Sequence, residues 1–209
     1  LIEHFSQHGK VMIFAYDRSY EFYSKRYQNN SLVRVEQVAV PFFVGNESGL
    51  DFRATAELGI NQQIDYIPIN CDAMEQAYQF VGRPDIVISD YEPICAQYSC
   101  AVNAPLVTID QQSKYLCGDF PRSLGGYTFE DEIVRLRMFF PKAALRIACS
   151  FFSFAKRDNC EDVSVFSPII KASVVECKRC PLSSERNILV YLSSARDHGQ
   201  DLAEVVKAF

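Results

Sequence analysis

The residues best suited to chemistry are clustered in two short groups, Asp90-Tyr91-Glu92 and Asp110-Gln111-Gln112, about twenty positions apart. Two carboxylates one residue apart repel each other, so one can hold its proton above the ordinary carboxylate range and act as a base while the other orients it. Glu92 is the expected base and Asp90 its partner. Asp90 lies three residues before Pro93 and also suits the N-cap of a helix. Asp110, Gln111 and Gln112 suit hydrogen bonding to hydroxyl groups. Asp17 and Arg18 form a third polar group; Arg18 suits contact with an anion, and an ordinary surface arginine is the commoner case.

The elements that position these groups can be read from the pattern around them. Ile86 to Ser89 is a short, β-branched apolar run that suits a strand buried on both faces. Pro93 suits the first turn of a helix, where its missing N–H costs nothing, and that helix is expected to run to about Asn103. Leu106 to Ile109 reads as a second buried strand. Parallel strands joined by a helix, each ending in polar side chains, build a ligand crevice at their C-terminal ends. The expected fold class is therefore α/β, a Rossmann-like and mainly parallel sheet with helices on both faces.

These motifs resemble the N-terminal, acceptor-side domain of glycosyltransferases with the two-domain GT-B fold, nearest to the group related to MurG and the UDP-glycosyltransferases. The resemblance rests on Pro84 to Pro93 (PDIVISDYEP) and Pro105 to Gln112 (PLVTIDQQ), and more weakly on Phe139-Phe140-Pro141 and Asn187 to Leu192. It implies transfer of a sugar from a nucleotide-sugar donor to a small-molecule, glycan or lipid-linked acceptor, with peripheral membrane association left open. Glu92 and Asp90 would be catalytic, and Tyr91, Asp110, Gln111, Gln112, Asp17 and Arg18 would bind the acceptor. Ser193 and Ser194 would face the donor diphosphate, with His198 in the same turn. No cofactor and no metal are implied. Two other readings fit the residues: a non-enzymatic Rossmann-like binding module, and a glycerophosphate transferase of the same architecture.

Apolar patterning divides the rest of the chain. Helices are expected over 1–7, 20–27, 72–81 (capped by Asp72) and 130–140, with 51–81 broken near Gly59 and Pro68. Strands are expected over 10–16, 34–40 at a sheet edge, 146–152 and 163–166, and 169–175 reads as an extension. Loops are expected over 42–49 and 114–128. Residues 177–184 read as a linker, 188–192 as a strand, 193–200 as a turn and 201–209 as a helix start. The expected division is 1–183 for the acceptor-side domain and 184–209 for the opening of a donor-binding one. A strand and glycine-rich turn ordinarily precede the first helix of such a domain, so further residues are expected before Leu1.

Composition narrows the classes. Hydrophobic residues make up 48% and charged residues 22%, which excludes a disordered chain. A net charge of −5 argues against a general nucleic-acid binder. No apolar run approaches a membrane span, so a cytoplasmic location is the default expectation. Cys95, Cys100 and Cys149 fall in core-like patterns and are expected to be free and buried. Cys177 and Cys180 are the one pair at metal spacing, without the second pair that a zinc site needs. The sequons at Asn29 and Asn46 read as chance.

Overall fold

The structure is a computed structural model, and it describes residues 1–40, 44–46, 49–61, 65–120, 129–168 and 170–176. The expected linker, strand, turn and helix over 177–209 lie outside the described residues, and with them Ser193, Ser194, His198, Cys177 and Cys180. The same holds for residues 121–128 of the expected loop and for Phe42 and Phe43.

In chain order the elements are α1 (Ile2–Phe5), β1 (Val11–Ala15), α2 (Asp17–Tyr27), β2 (Val33–Gln37), β3 (Val44–Asn46), β4 (Gly49–Asp51), α3 (Phe52–Asn61), α4 (Tyr66–Val81), β5 (Val87–Ser89), α5 (Pro93–Val102) and β6 (Leu106–Asp110). A 3-10 helix (Gln112–Leu116) follows, then α6 (Phe129–Phe139), β7 (Ala143–Cys149), β8 (Ser164–Phe166) and α7 (Ala172–Val175). β5, β6, β7 and β8 form a four-stranded sheet in chain order, parallel throughout. β1 and β2 form a parallel pair, and β3 and β4 a small antiparallel hairpin. Parallel neighbours need a crossover, and α5 and α6 supply it for β5–β6 and β6–β7. This is the α/β, Rossmann-like class that the sequence pattern predicts.

One core serves both parallel sheets. Ala77 of α4, Val87 of β5, Tyr98 of α5, Leu106 of β6, Leu136 of α6 and Ala148 of β7 belong to one buried cluster, against which Met12 and Phe14 of β1 pack. Phe14 meets Tyr98 edge-to-face at 5.6 Å, the arrangement that ring quadrupoles favour. The Tyr98 hydroxyl donates to the carbonyl of Gly82 at 3.0 Å. Gly82 ends α4 at φ 66°, where a side chain would be strained.

Several boundaries differ from expectation, each for a local reason. α2 begins at Asp17, three residues early, because Ser19 reaches back: its Oγ accepts the Tyr16 N–H at 3.2 Å while its own N–H donates to the Tyr16 carbonyl at 3.1 Å. α4 begins at Tyr66, so Asp72 sits mid-helix and caps nothing. Pro68 falls within the first turn, where an N–H has no intrahelical acceptor anyway. Gly59 lies inside α3, which extends to Asn61. β7 ends at Cys149, and Phe151 and Phe152 project beyond it, 73% and 55% exposed. The expected extension over 169–175 holds the short helix α7. Cys100 is exposed on α5, contrary to the expected burial, while Cys95 and Cys149 are half-buried and all three are free.

Candidate active site at the strand ends

The loop after β5 is closed by one hydroxyl. Ser89, fully buried, accepts the Glu92 N–H at 2.8 Å and donates to the Glu92 carbonyl at 2.9 Å. Tyr91 takes the left-handed conformation, φ 57°, which is uncommon for a bulky residue and reverses the chain between the two carboxylates. Glu92 is thereby left extended immediately before Pro93, which occupies the first turn of α5, and its side chain accepts the Ile94 N–H at 3.1 Å. The helix cap is thus Glu92, where the sequence pointed to Asp90 for that part. Asp90 is exposed at the tip of the loop and has no hydrogen bond or ion pair among the described residues.

The charges show which strand ends meet. Burial raises the Asp90 pKa, and the negative charge of Asp110 raises it further. Burial also raises the Glu92 carboxyl, with the Ile94 N–H pulling the other way. The Tyr16 phenol, at the end of β1, is pushed up by burial and then by Glu92, Asp17 and Asp90. The ends of β1, β5 and β6 therefore share one electrostatic neighbourhood, and it is acidic. The Cys95 thiol behind Glu92 is pushed up to about 12 by burial and by the Glu92 charge, which makes it an inert thiol.

Not every expected residue reaches this crevice. Asp110 is 4% exposed, and both its oxygens are occupied: Oδ1 accepts the Ser113 N–H at 2.5 Å and Oδ2 the Ser113 hydroxyl at 2.9 Å. It starts the 3-10 helix and acts on Asp90 through its charge, so a direct contact from Asp110 to an acceptor is not what this geometry offers. Tyr91 points away as well, its ring 5.9 Å from Phe140 and its hydroxyl donating to Glu132 of α6. Burial and this bond to an anion raise the phenol strongly. Glu132 is also paired with Arg135 at 2.8 Å. Gln111, Asp17 and Arg18 are exposed at the rim, and Gln112 turns its Oε1 back to the Gln111 N–H at 3.1 Å.

Three residues of this region were not singled out from the sequence. The sequence marks Tyr16 only as the last residue of a strand. Lys114 is expected at the start of a loop, yet it is 6% exposed. Arg146 is expected as the first residue of a strand; a register shift between Leu106 and Val107 sets it beside Thr108 in the sheet interior. Its Nη2 donates to the Phe140 carbonyl at 2.6 Å and its Nε lies 3.6 Å from Glu161. Arg146 Nη1 and Thr108 Oγ1 are buried without a hydrogen bond among the described residues. No local pattern marks a lysine or arginine for burial, since surface positions use the same letters.

Two shallow hollows lie elsewhere, one at the end of α2 beside Glu3 and one between α4 and α5 beside Tyr78. Neither contains the strand-end carboxylates. Among the described residues no three histidine, cysteine or carboxylate side chains are grouped as a metal ion would require. No helix among them is long and apolar enough to cross a membrane.

A parallel, helix-covered sheet with acidic groups at its C-terminal ends defines a Rossmann-like ligand-binding domain, the half-unit of a GT-B fold. The family model for Glycosyl transferase family 1 matches residues 1–209, and the chain belongs to that family. It is a glycosyltransferase of the GT-B type. No curated protein and no solved structure matches it.

Proposed function

We propose that the strand-end crevice is the acceptor side of a sugar transfer from a nucleotide-sugar donor, and that Asp90 is the base. The observation that carries this is the state of Asp90: exposed at the tip of its loop, without a hydrogen bond or ion pair among the described residues, and with its pKa raised by partial desolvation against the surrounding protein and by the Asp110 charge. A base works best when its pKa approaches the working pH and its oxygens are free to take a proton. Glu92 shares the raised pKa but is engaged by Ile94, so its part is to fix the loop. In the step itself the acceptor hydroxyl gives its proton to Asp90. Its oxygen bonds to the anomeric carbon as the bond from that carbon to the diphosphate oxygen breaks, and the nucleoside diphosphate carries away the electron pair.

Within the family we place the chain with the MurG and UDP-glycosyltransferase group, on the strength of Pro84 to Pro93 and Pro105 to Gln112. We assign residues 1–183 to the acceptor-side domain and the strand-turn-helix pattern of 184–209 to the donor side, with Ser193 and Ser194 near the diphosphate. The test is a panel of nucleotide sugars offered with candidate acceptors, read as release of nucleoside diphosphate. Release that depends on both partners is the expected result. Saturable binding of a small molecule with no turnover of any donor would favour the binding-module reading instead.

A further inference from the structure

Lys114 is out of keeping with its surroundings. It is 6% exposed, yet among the described residues its ammonium has no hydrogen bond and no ion pair. An ammonium has three donors, and the described residues take none of them; Nζ is not among the fully buried unpartnered atoms, so the cation keeps an opening to solvent. What surrounds it is aromatic: Nζ lies 5.3 Å from the centre of the Tyr115 ring and 5.1 Å from that of Phe152. Ring faces attract a cation but satisfy none of its N–H groups. The carboxylate that acts on it is Asp110, whose oxygens are both held by Ser113. Burial accordingly draws the Lys114 pKa below the usual lysine range, and the Asp110 charge opposes that shift.

Position adds a second observation. Lys114 leaves the end of β6 on the 3-10 helix, and Phe152, 55% exposed, stands just past the end of β7. The ammonium therefore spans the C-terminal ends of two parallel strands, where open α/β sheets take their ligands. Beside it runs an aromatic wall. Tyr115 stacks on Phe129 at 4.6 Å, Phe120 meets Phe129 at 5.3 Å and Phe154 at 5.1 Å, and Phe152 closes on Phe154 at 6.4 Å. An unpaired cation against such a wall is complementary to an oxyanion attached to a carbon skeleton that can lie on rings.

We propose that Lys114 is an oxyanion subsite that receives a phosphate group of the acceptor, with the aromatic wall packing on the part next to it. This rests on the acceptor-side reading of the crevice. The two are separable, because phosphate binding can be measured without turnover.

The experiment is amine acetylation of the whole chain, resolved by residue with mass spectrometry, with and without inorganic phosphate and with chloride matching the ionic strength. Phosphate at ten times its Kd should slow Lys114 about tenfold while Lys10, Lys25 and Lys142 are unchanged. Unchanged labelling of Lys114, or equal slowing at every lysine, overturns the subsite. The Lys114→Met variant keeps length and ring contact, and its phosphate affinity by calorimetry should fall about tenfold or more; wild-type affinity overturns the proposal. Where that variant does not fold, the wild-type labelling decides alone. A sugar 1-phosphate and UDP then distinguish the source of the phosphate: protection by the sugar phosphate supports the acceptor assignment, and protection by UDP alone overturns it. Phosphate protection in a chain that turns over no nucleotide sugar leaves the subsite standing and removes the transferase reading. Turnover without protection does the reverse.

Discussion

Ser89 holds Glu92 at both ends of its backbone unit, accepting its N–H at 2.8 Å and donating to its carbonyl at 2.9 Å. Asp90 and Tyr91 are thereby pinched into a closed loop, with Asp90 at the tip and Tyr91 turned under it toward α6. The position of the proposed base is thus set by a hydroxyl that never meets the substrate. Its burial within the sheet keeps water from competing for the two bonds.

Replacing Ser89 with Ala should therefore act on both stability and rate. A buried N–H and carbonyl lose their partner, at a cost of about 1–3 kcal/mol. Urea unfolding should register that loss as a lower midpoint with an unchanged slope. Turnover should also drop, because Asp90 is no longer held in place. A midpoint equal to wild type would show that the loop closes without Ser89.

Asp90 and Glu92 are separable by conservative substitution. Asp90→Asn keeps the shape and removes the base, and turnover should fall about 10²–10⁴-fold with little change in KM. Glu92→Gln still offers an amide oxygen to the Ile94 N–H, so it should cost about 1 kcal/mol or less in stability and lower the rate far less. Initial rates and thermal melts of both variants check this. The opposite ranking would move the base to Glu92, as the sequence alone suggested.

Removing a charge from Asp110 should move the pH profile. The Asp110 charge helps hold the Asp90 pKa up, so Asp110→Asn lets Asp90 ionise earlier and shifts the acid limb of kcat/KM to lower pH. The stability consequence has a definite sign. With its folded pKa above its unfolded one, Asp90 binds more protons in the native state within that window, so stability falls as pH rises through it. Asp90→Asn should remove that part of the slope just above the ordinary carboxylate range. Urea midpoints measured across this range would show it, and parallel curves for the variant and wild type would refute the assignment.

What the sequence determined by itself is what depends on near neighbours. Val87 and Ile88 form a strand with Ser89 because β-branched residues fit a pleated, buried surface, and Pro93 starts α5 because its missing N–H costs nothing there. Asn103 ends the same helix in the left-handed conformation it tolerates. The motifs around these elements also pointed to the family that matches the whole chain.

Tertiary structure decided which of the clustered polar residues are free. Asp90 and Glu92 look alike in the sequence, but the reversal at Tyr91, secured by Glu132 forty-one residues away, gives one the cap and leaves the other exposed. Asp110 reads as a rim residue until Ser113 takes both its oxygens. Lys114 reads as a surface lysine until Phe152, delivered by the end of another strand, brings its ring to 5.1 Å from the ammonium. These outcomes depend on contacts between distant parts of the chain, and the desolvation and charge that act on each group exist only once those parts are packed together.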